Sequence, residues 1–78
     1  MRIKIKLFGP LQQHLPPHAN GRTAELDLPG GVTVDDLAVR LGIEEEPAVV
    51  CVNDQETHRA RRLHEGDVVA FFPPLAGG

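Results

Sequence analysis

The residues of this sequence best suited to chemistry are the last two, Gly77 and Gly78. Neither carries a Cβ, so their backbone could enter a channel too narrow for any side chain and present the terminal carboxylate inside another protein's active site. Pro73 and Pro74 cannot extend a β-ladder, which predicts that residues 75–78 leave the folded body as a flexible tail. The alternative is an inert, frayed terminus, which is common for the last residues of a domain.

The other reactive side chains do not form a catalytic or metal-binding pattern. Cys51 lies in an apolar run, where a cysteine is usually a small buried hydrophobic residue rather than a sulfur-relay thiol. No histidine stands at a metal-ligand spacing from it, so we expect no metal site. Two charged groups are more typical of solvated loops, although a role in binding a charged partner stays open for both. They are Arg59, Arg61 and Arg62, and Glu44, Glu45 and Glu46.

Length and composition limit the classes of function. The chain has 78 residues, of which 41% are hydrophobic and 24% charged, and its formal net charge is −3. Such a chain folds as one domain with a modest core, which leaves little room for an enclosed active site. We therefore expect no catalytic residues of its own. The slight acidity gives no overall field that would attract nucleic acid or anionic lipid.

The N-terminal segment carries no targeting or membrane signal. Residues 1–6 alternate charged and apolar side chains, a pattern that differs from both a signal-peptide core and a transmembrane run. We therefore expect a cytoplasmic protein that does not contact membranes.

Alternation and apolar runs predict the strands. Polar and apolar residues alternate over Arg2–Phe8 and over Thr23–Leu28, as in strands with one buried face. Continuous apolar runs predict two more strands, at Ala48–Val52 and Val68–Phe72. The segment Gln55–Leu63 is polar and weakly patterned, and accommodates at most one short strand.

One helix is clearly predicted between the second and third strands. Thr33 is suited to the N-cap, and acidic residues follow it in the first turn, where the helix dipole favours them. Gly42 can adopt the left-handed conformation that ends a helix. A single apolar stripe runs along it. The stripe consists of Val34, Leu37, Ala38 and Leu41.

These elements predict an α+β fold of the ubiquitin-like, or β-grasp, type. A mixed sheet of four to five strands would carry the one main helix across one face. A short helical stretch after Pro10 would precede the second strand. The predicted domain covers residues 1–74 and the tail residues 75–78.

The last strand has apolar residues on both of its faces, although a sheet with one buried face needs apolar residues on that face alone. Phe8, moreover, shares a face with two lysines of the first strand. An apolar patch on a soluble protein usually marks an interface, although loops folding over this face would also explain it. The predicted partner interface consists of Phe8, Phe71, Phe72, Pro73 and Pro74, with at least one of Phe71 and Phe72 at the surface.

Three stretches of the sequence resemble one protein family. They are Ile5–Gly9 (IKLFG), Thr33–Leu37 (TVDDL) and Glu65–Gly78, which ends in FFPPLAGG. The chain resembles the MoaD/ThiS sulfur carriers, the ubiquitin-like proteins of molybdopterin and thiamin biosynthesis. The likeness covers nearly the whole chain. Its last stretch is more similar to the small subunit of molybdopterin synthase than to the thiamin carrier.

The resemblance implies a specific chemistry. A ubiquitin-activation-type adenylyltransferase would adenylate the Gly78 carboxylate with ATP and Mg²⁺, and a persulfide sulfurtransferase would supply the sulfur of a thiocarboxylate. The tail residues Leu75, Ala76, Gly77 and Gly78 would then enter the large subunit of molybdopterin synthase. The carrier itself would bind no cofactor. Alternatives are another acceptor (thiamin thiazole, cysteine or tRNA thiolation), a ubiquitin-like modifier joined through Gly78 to lysines, and a β-grasp module with an inert tail.

Overall fold

The computed structural model describes residues 1–74, and the elements in this range follow the predicted order. A 3-10 helix at Gly9–His14 follows the first strand and has Pro10 in its first turn, as predicted. The strands and the helix are β1 (Arg2–Leu7), β2 (Thr23–Asp27), α1 (Val34–Leu41), β3 (Val49–Val52), β4 (Gln55–Thr57) and β5 (Val68–Phe72).

The strands form one mixed sheet in the order β2-β1-β5-β3-β4. β1 and β5 are parallel neighbours at its centre, whereas the other three adjacent pairs are antiparallel. The first and last strands of the domain therefore lie side by side, with the helix in the connection between β2 and β3. This arrangement confirms the predicted β-grasp fold, with five strands rather than four.

The core lies between α1 and one face of the sheet. Alternate residues of β1 and β5 point into it. In β1 this agrees with the period of two in the sequence, whereas β5 was predicted from its continuous apolar run. Burying each large aliphatic side chain contributes about 1.5–3 kcal/mol of transfer free energy. The fully buried side chains include Ile3, Ile5, Leu7, Val69 and Phe71 from the sheet and Val34, Leu37 and Ala38 from the helix.

The two ends of α1 are fixed as the sequence predicted. The Asp36 N–H donates to the Thr33 hydroxyl (3.2 Å), and the Thr33 N–H donates to the Asp36 carboxylate (2.9 Å). This reciprocal pair satisfies two backbone donors that the first turn would otherwise leave free. At the other end, Gly42 has φ +79°, in the left-handed region that favours glycine.

Arg59 fastens the start of α1 to the loop that follows the helix. Its carbonyl accepts from the Asp35 N–H (2.8 Å), and its guanidinium donates to the Glu46 carbonyl (2.9 Å). The same guanidinium lies 3.7 Å from the Asp35 carboxylate. The Arg59 side chain thus has a structural role. Arg61 supports the same end of α1 through its backbone, because its carbonyl accepts from the Val34 N–H (2.9 Å).

Two turns at one end of the sheet are joined by Asp67. Asn53 and Asp54 form the turn between β3 and β4, both with positive φ (+52° and +69°). The nearly buried Asp67 carboxylate accepts from the Asn53 side-chain amide (2.9 Å) and from the His64 N–H (2.8 Å). The Asn53 side-chain oxygen in turn accepts from the Val68 N–H (2.9 Å). This network fixes the start of β5.

The loop before β2 folds along the outer side of that strand. Asn20 exchanges two backbone hydrogen bonds with Thr23 (2.8 and 3.2 Å). The His18 ring Nε2 lies 2.9 Å from the Glu25 carbonyl oxygen, and it donates there because a carbonyl can only accept. The predicted loop of residues 16–21 is therefore held against the sheet.

Candidate functional site

The strand that leads to the predicted tail is held at the centre of the sheet. β5 lies between β1 and β3 and ends at Phe72, after which Pro73 is half-buried and Pro74 is exposed. The predicted end of this strand at the two prolines is confirmed. The residues to which the sequence assigned the tail chemistry lie outside the described residues. They are Leu75, Ala76, Gly77 and Gly78.

A sharp corner after β1 packs against the end of β5. The Phe8 N–H donates to the Phe71 carbonyl (3.2 Å), which continues the pairing of the two strands by one residue. The Phe8 and Phe72 rings stack with centroids 4.5 Å apart and planes 9° from parallel. Gly9 then turns the chain with φ +57°, so that β1 ends at Leu7 rather than at the predicted Phe8.

The side of the sheet away from α1, here called the open face, is divided into two halves. Over β2 and β1 it is charged, with Lys4 opposite Glu25 in the antiparallel register. Over β5 and β3 it is apolar, because the register pairs outward residues such as Ala70 and Cys51. The apolar half consists of Phe8, Val49, Cys51, Val68, Ala70 and Phe72.

Phe71 does not belong to this face, which corrects its assignment to the partner interface. Its side chain is fully buried. In the register it pairs with Leu7 and Val50, both of which also point toward α1. Since neighbouring residues of a strand point to opposite sides, the burial of Phe71 leaves Phe72 as the phenylalanine of β5 that faces outward.

The apolar half is partly covered by its own side chains. Each stacked ring shields one side of the other, and the Arg22 guanidinium carbon lies 5.7 Å from the Phe8 ring centroid. Phe8 and Phe72 are consequently half-buried. Among residues 1–74, the strongly exposed large hydrophobic side chain is Val39 on α1, at 56%. A single exposed valine is ordinary on a protein surface and does not indicate a site.

The charged half contains the best-defined ion pair of the open face. The Arg2 guanidinium donates to both carboxylate oxygens of Asp27 (3.0 and 3.2 Å) and lies 3.8 Å from Glu25. The hydrogen bond and charge of Arg2 lower the pKa of the Asp27 carboxyl, and the same contacts raise the pKa of Arg2. All three groups are exposed, so they give this half its charge pattern rather than its stability.

Cys51 is half-buried on the open face, between Ala70 and Glu56 of the neighbouring strands. It is less enclosed than its apolar sequence context predicted. Its neighbour Ala70 is more enclosed, with 8% of its surface exposed.

His14 contacts the Glu46 carboxylate near the end of the 3-10 helix.

Residues 1–74 contain no group of three or more His, Cys, Asp or Glu side chains arranged to hold a metal ion. No helix within these residues has the length and apolar character needed to cross a membrane.

Sequence reasoning missed two contacts of the corner between β1 and β5. Alternation placed Phe8 outward but could not show that its ring would stack on Phe72, because this contact depends on the parallel pairing of two strands whose partner residues are 64 positions apart in sequence. The packing of Gly9 beneath Pro73 was missed for the same reason. A glycine-proline pair after the first strand was the only local signal, and it indicated a turn.

Comparison with known proteins gives one family and several related structures. The model of the ThiS family matches residues 5–78. No curated protein matches the sequence significantly. Among solved structures, SAMP1 from Haloferax volcanii is 26% identical, with a TM-score of 0.72 and complete coverage of both chains.

Two further structures carry molybdopterin descriptions. A protein described as molybdopterin converting factor subunit 1 from Pyrococcus furiosus is 26% identical, with a TM-score of 0.74 over 95% of this chain and 98% of that chain. A complex of subunits 1 and 2 of the molybdopterin-converting factor from Helicobacter pylori has a chain that is 20% identical, with a TM-score of 0.64 and complete coverage of both chains. At that identity the likeness concerns the fold alone.

Proposed function

Because the chain belongs to the ThiS family, whose model extends over residues 5–78, we propose that it is a sulfur carrier with Gly78 as the carrying residue. The family match is the observation that supports this proposal most directly. The fold also fits the proposal. One face of the sheet is not covered by α1, and the last strand, β5, ends with Phe72 on that face. This arrangement suits a protein that is delivered to partners. The chain then works as a substrate and needs no catalytic residues of its own.

The chemistry takes place at the terminal carboxylate. A carboxylate is a poor electrophile, so an adenylyltransferase first transfers AMP from ATP to Gly78 and releases pyrophosphate. The outer sulfur of a persulfide on a sulfurtransferase then attacks the carbonyl carbon, and AMP departs as the leaving group, which leaves an acyl disulfide that joins Gly78 to the transferase. A thiol then attacks the transferase sulfur of this S–S bond, is oxidised to a disulfide, and releases the sulfur bound to Gly78 with both bonding electrons. The product is a thiocarboxylate, a sulfur nucleophile held covalently. ATP and Mg²⁺ are used by the activating enzyme, and the carrier binds no cofactor.

The acceptor we favour is the precursor of molybdopterin, with this chain as the small subunit of molybdopterin synthase. The ending FFPPLAGG supports this choice, as does the similarity to subunit 1 of the Pyrococcus converting factor. The tail, residues 75–78, would enter the large subunit. The proposed chemistry belongs to the cytoplasm, where ATP for the adenylation is available.

The apolar half of the open face is the proposed docking surface for these partners. Phe72 and Pro73 connect it directly to the start of the tail, so a protein that holds this surface also holds the base of the tail. Half-buried aromatic rings gain additional burial when a partner covers them, and aromatic anchors contribute strongly to interfaces. Phe8, Phe72, Pro73 and Pro74 remain in the proposed interface.

A ubiquitin-like modifier is the second candidate. It is favoured by the similarity to SAMP1 of Haloferax volcanii, which is 26% identical and covers both chains completely. Another structure from that organism, similar in fold, is described as small archaeal modifier protein 1. In that case the activated Gly78 carbonyl would form an amide bond with a lysine of another protein. Both candidates share the adenylation step and differ in the nucleophile that follows it.

Intact-mass spectrometry separates these functions. The protein is incubated with the adenylyltransferase of its own genome, ATP, Mg²⁺, a sulfurtransferase loaded as its persulfide, and a thiol reductant. A carrier gains the mass difference between one sulfur and one oxygen atom, whereas a modifier gives conjugates of much higher mass when a lysate is added. An unchanged mass would reject both. Conversion of a precursor to molybdopterin by the loaded carrier with the large subunit tests the acceptor.

Deletion of Gly78 is the matched control. We expect it to abolish loading without shifting the thermal unfolding midpoint, because the hydrophobic core lies within residues 1–74. A deletion variant that still acquires sulfur would refute Gly78 as the carrying residue.

A further inference from the structure

One glycine of the domain is in close contact with the residue from which the tail departs. At Gly9, which has φ +57°, an added Cβ would lie 3.0 Å from Cγ and 3.6 Å from Cδ of the Pro73 ring. At Gly21, which has the similar φ of +65°, an added Cβ would meet nothing within 4 Å. The two positions impose the same backbone requirement, but only Gly9 also provides space for a neighbouring ring.

The corner formed by Phe8 and Gly9 fixes two successive residues at the end of β5. The Phe8 ring stacks on Phe72, and the Pro73 ring occupies space that a side chain at position 9 would need. The proline ring also restricts φ at position 73. The direction of the chain is therefore set at this point by packing as well as by covalent geometry.

We infer that Gly9 is a positioning residue, which sets the direction in which the chain leaves the domain at Pro73 and thereby the efficiency with which Gly78 is activated. The second part rests on the proposed function. When a partner holds the apolar half of the open face, the direction of the chain at Pro73 determines whether the tail can bring Gly78 to the reacting atoms without displacing the bound domain. Misplacement of a reacting group by about 1 Å can reduce a rate by roughly 100-fold.

The test compares G9A with G21A. Both variants place an alanine at positive φ, so both should lose a similar amount of thermal stability. Only G9A displaces the Pro73 ring. In NMR spectra of the free protein, we expect contacts between the Gly9 Hα protons and the Pro73 ring in the wild type, and large chemical-shift changes at Phe72–Pro74 in G9A but not in G21A.

Activation kinetics provide the second measurement. We expect G9A to lower kcat for adenylation by about 10-fold or more at saturating carrier. KM should rise by a smaller factor, because Pro73 is the residue of the proposed interface that the new methyl group meets. G21A should match the wild type in both constants. A loss of fold alone would affect the two variants alike, so the split between kcat and KM identifies a positioning effect.

A double-mutant cycle with P73A locates the cause. Replacing Pro73 by alanine removes the Cγ and Cδ atoms that the new methyl group would meet. G9A/P73A should therefore recover part of the kcat that G9A loses, beyond the sum of the two single effects. Additive single effects would contradict a contact between the two residues.

The outcomes separate this inference from the proposed function. If the wild type is not adenylated at all, the proposed function fails, and the NMR comparison alone decides whether Gly9 sets the direction of the chain. If the wild type is adenylated and G9A equals G21A in chemical shifts and in kcat, the inference about Gly9 is overturned and the proposed function stands.

Discussion

Two adjacent phenylalanines show how the two faces of this sheet differ. Phe71 points toward α1 and is fully buried, whereas Phe72 points to the open face, is half-buried and stacks on Phe8. The inner face is apolar over β2, β1, β5 and β3, while the open face has a charged half and an apolar half. The residues of β5 that point toward α1 thus belong to the core, and those that point to the open face form part of a contact surface.

The largest effect on stability should come from F71A. Removing a fully buried phenylalanine loses its transfer free energy and leaves a cavity, which together typically cost about 3–5 kcal/mol. Stability of a whole domain is about 5–15 kcal/mol, so this variant should be close to unfolding at ambient temperature. Urea denaturation followed by circular dichroism measures the loss. A cost below about 1 kcal/mol would show that the inner face does not dominate stability.

F72A should instead affect binding. Losing one partner of a stacked aromatic pair costs about 0.5–1.5 kcal/mol of stability. A residue at the centre of an interface typically costs about 2 kcal/mol or more of binding free energy, roughly a 30-fold weaker Kd. Titration calorimetry with the adenylyltransferase and with the large subunit measures this change.

V39A is the matched control for F72A, because Val39 is exposed on α1, outside the open face. It should leave the Kd for both partners unchanged. If V39A weakens binding and F72A does not, partners use the helix rather than the open face, and the division of roles between the two faces is wrong.

The smallest effect concerns the charged half of the open face. Arg2 lowers the pKa of Asp27 in the folded protein. Their interaction therefore stabilises the fold at pH values above the unfolded-state pKa of the carboxyl. This stabilisation is lost as the pH falls through the lowered folded-state pKa. D27N should therefore flatten the acid end of the stability profile. The difference from wild type at neutral pH should be small, because the pair is exposed. Identical acid profiles of the two proteins would contradict this contribution.

Local patterns were sufficient to predict most of the fold. Thr33, Asp36 and Gly42 specify the ends of α1 through interactions within a few residues, and the structure confirms them. Alternation specified β1 and β2 to within one residue at their ends. These features depend on neighbours in sequence, which a single sequence displays directly.

The contacts that shape the candidate site depend on residues distant in sequence. The register of β5 against β1 and β3 determines which of Phe71 and Phe72 faces α1. Because the residues on both sides of this strand are apolar, the local sequence does not show which phenylalanine is buried. The same holds for Gly9 beneath Pro73 and for Arg22 beside Phe8. The sequence located the apolar surplus correctly but assigned one buried residue to the surface.

The loop along β2 has a consequence for how this molecule meets its own copies. An exposed sheet edge is a template on which a strand of another molecule can add, and proteins avoid such growth by covering or shortening their edges. Here Asn20 and His18 occupy outward backbone groups of β2, and β4 at the opposite edge is three residues long. A strand of another molecule therefore has few backbone groups to pair with at either edge. This protection against self-association would suit the carrier proposed above, which meets several partners in turn.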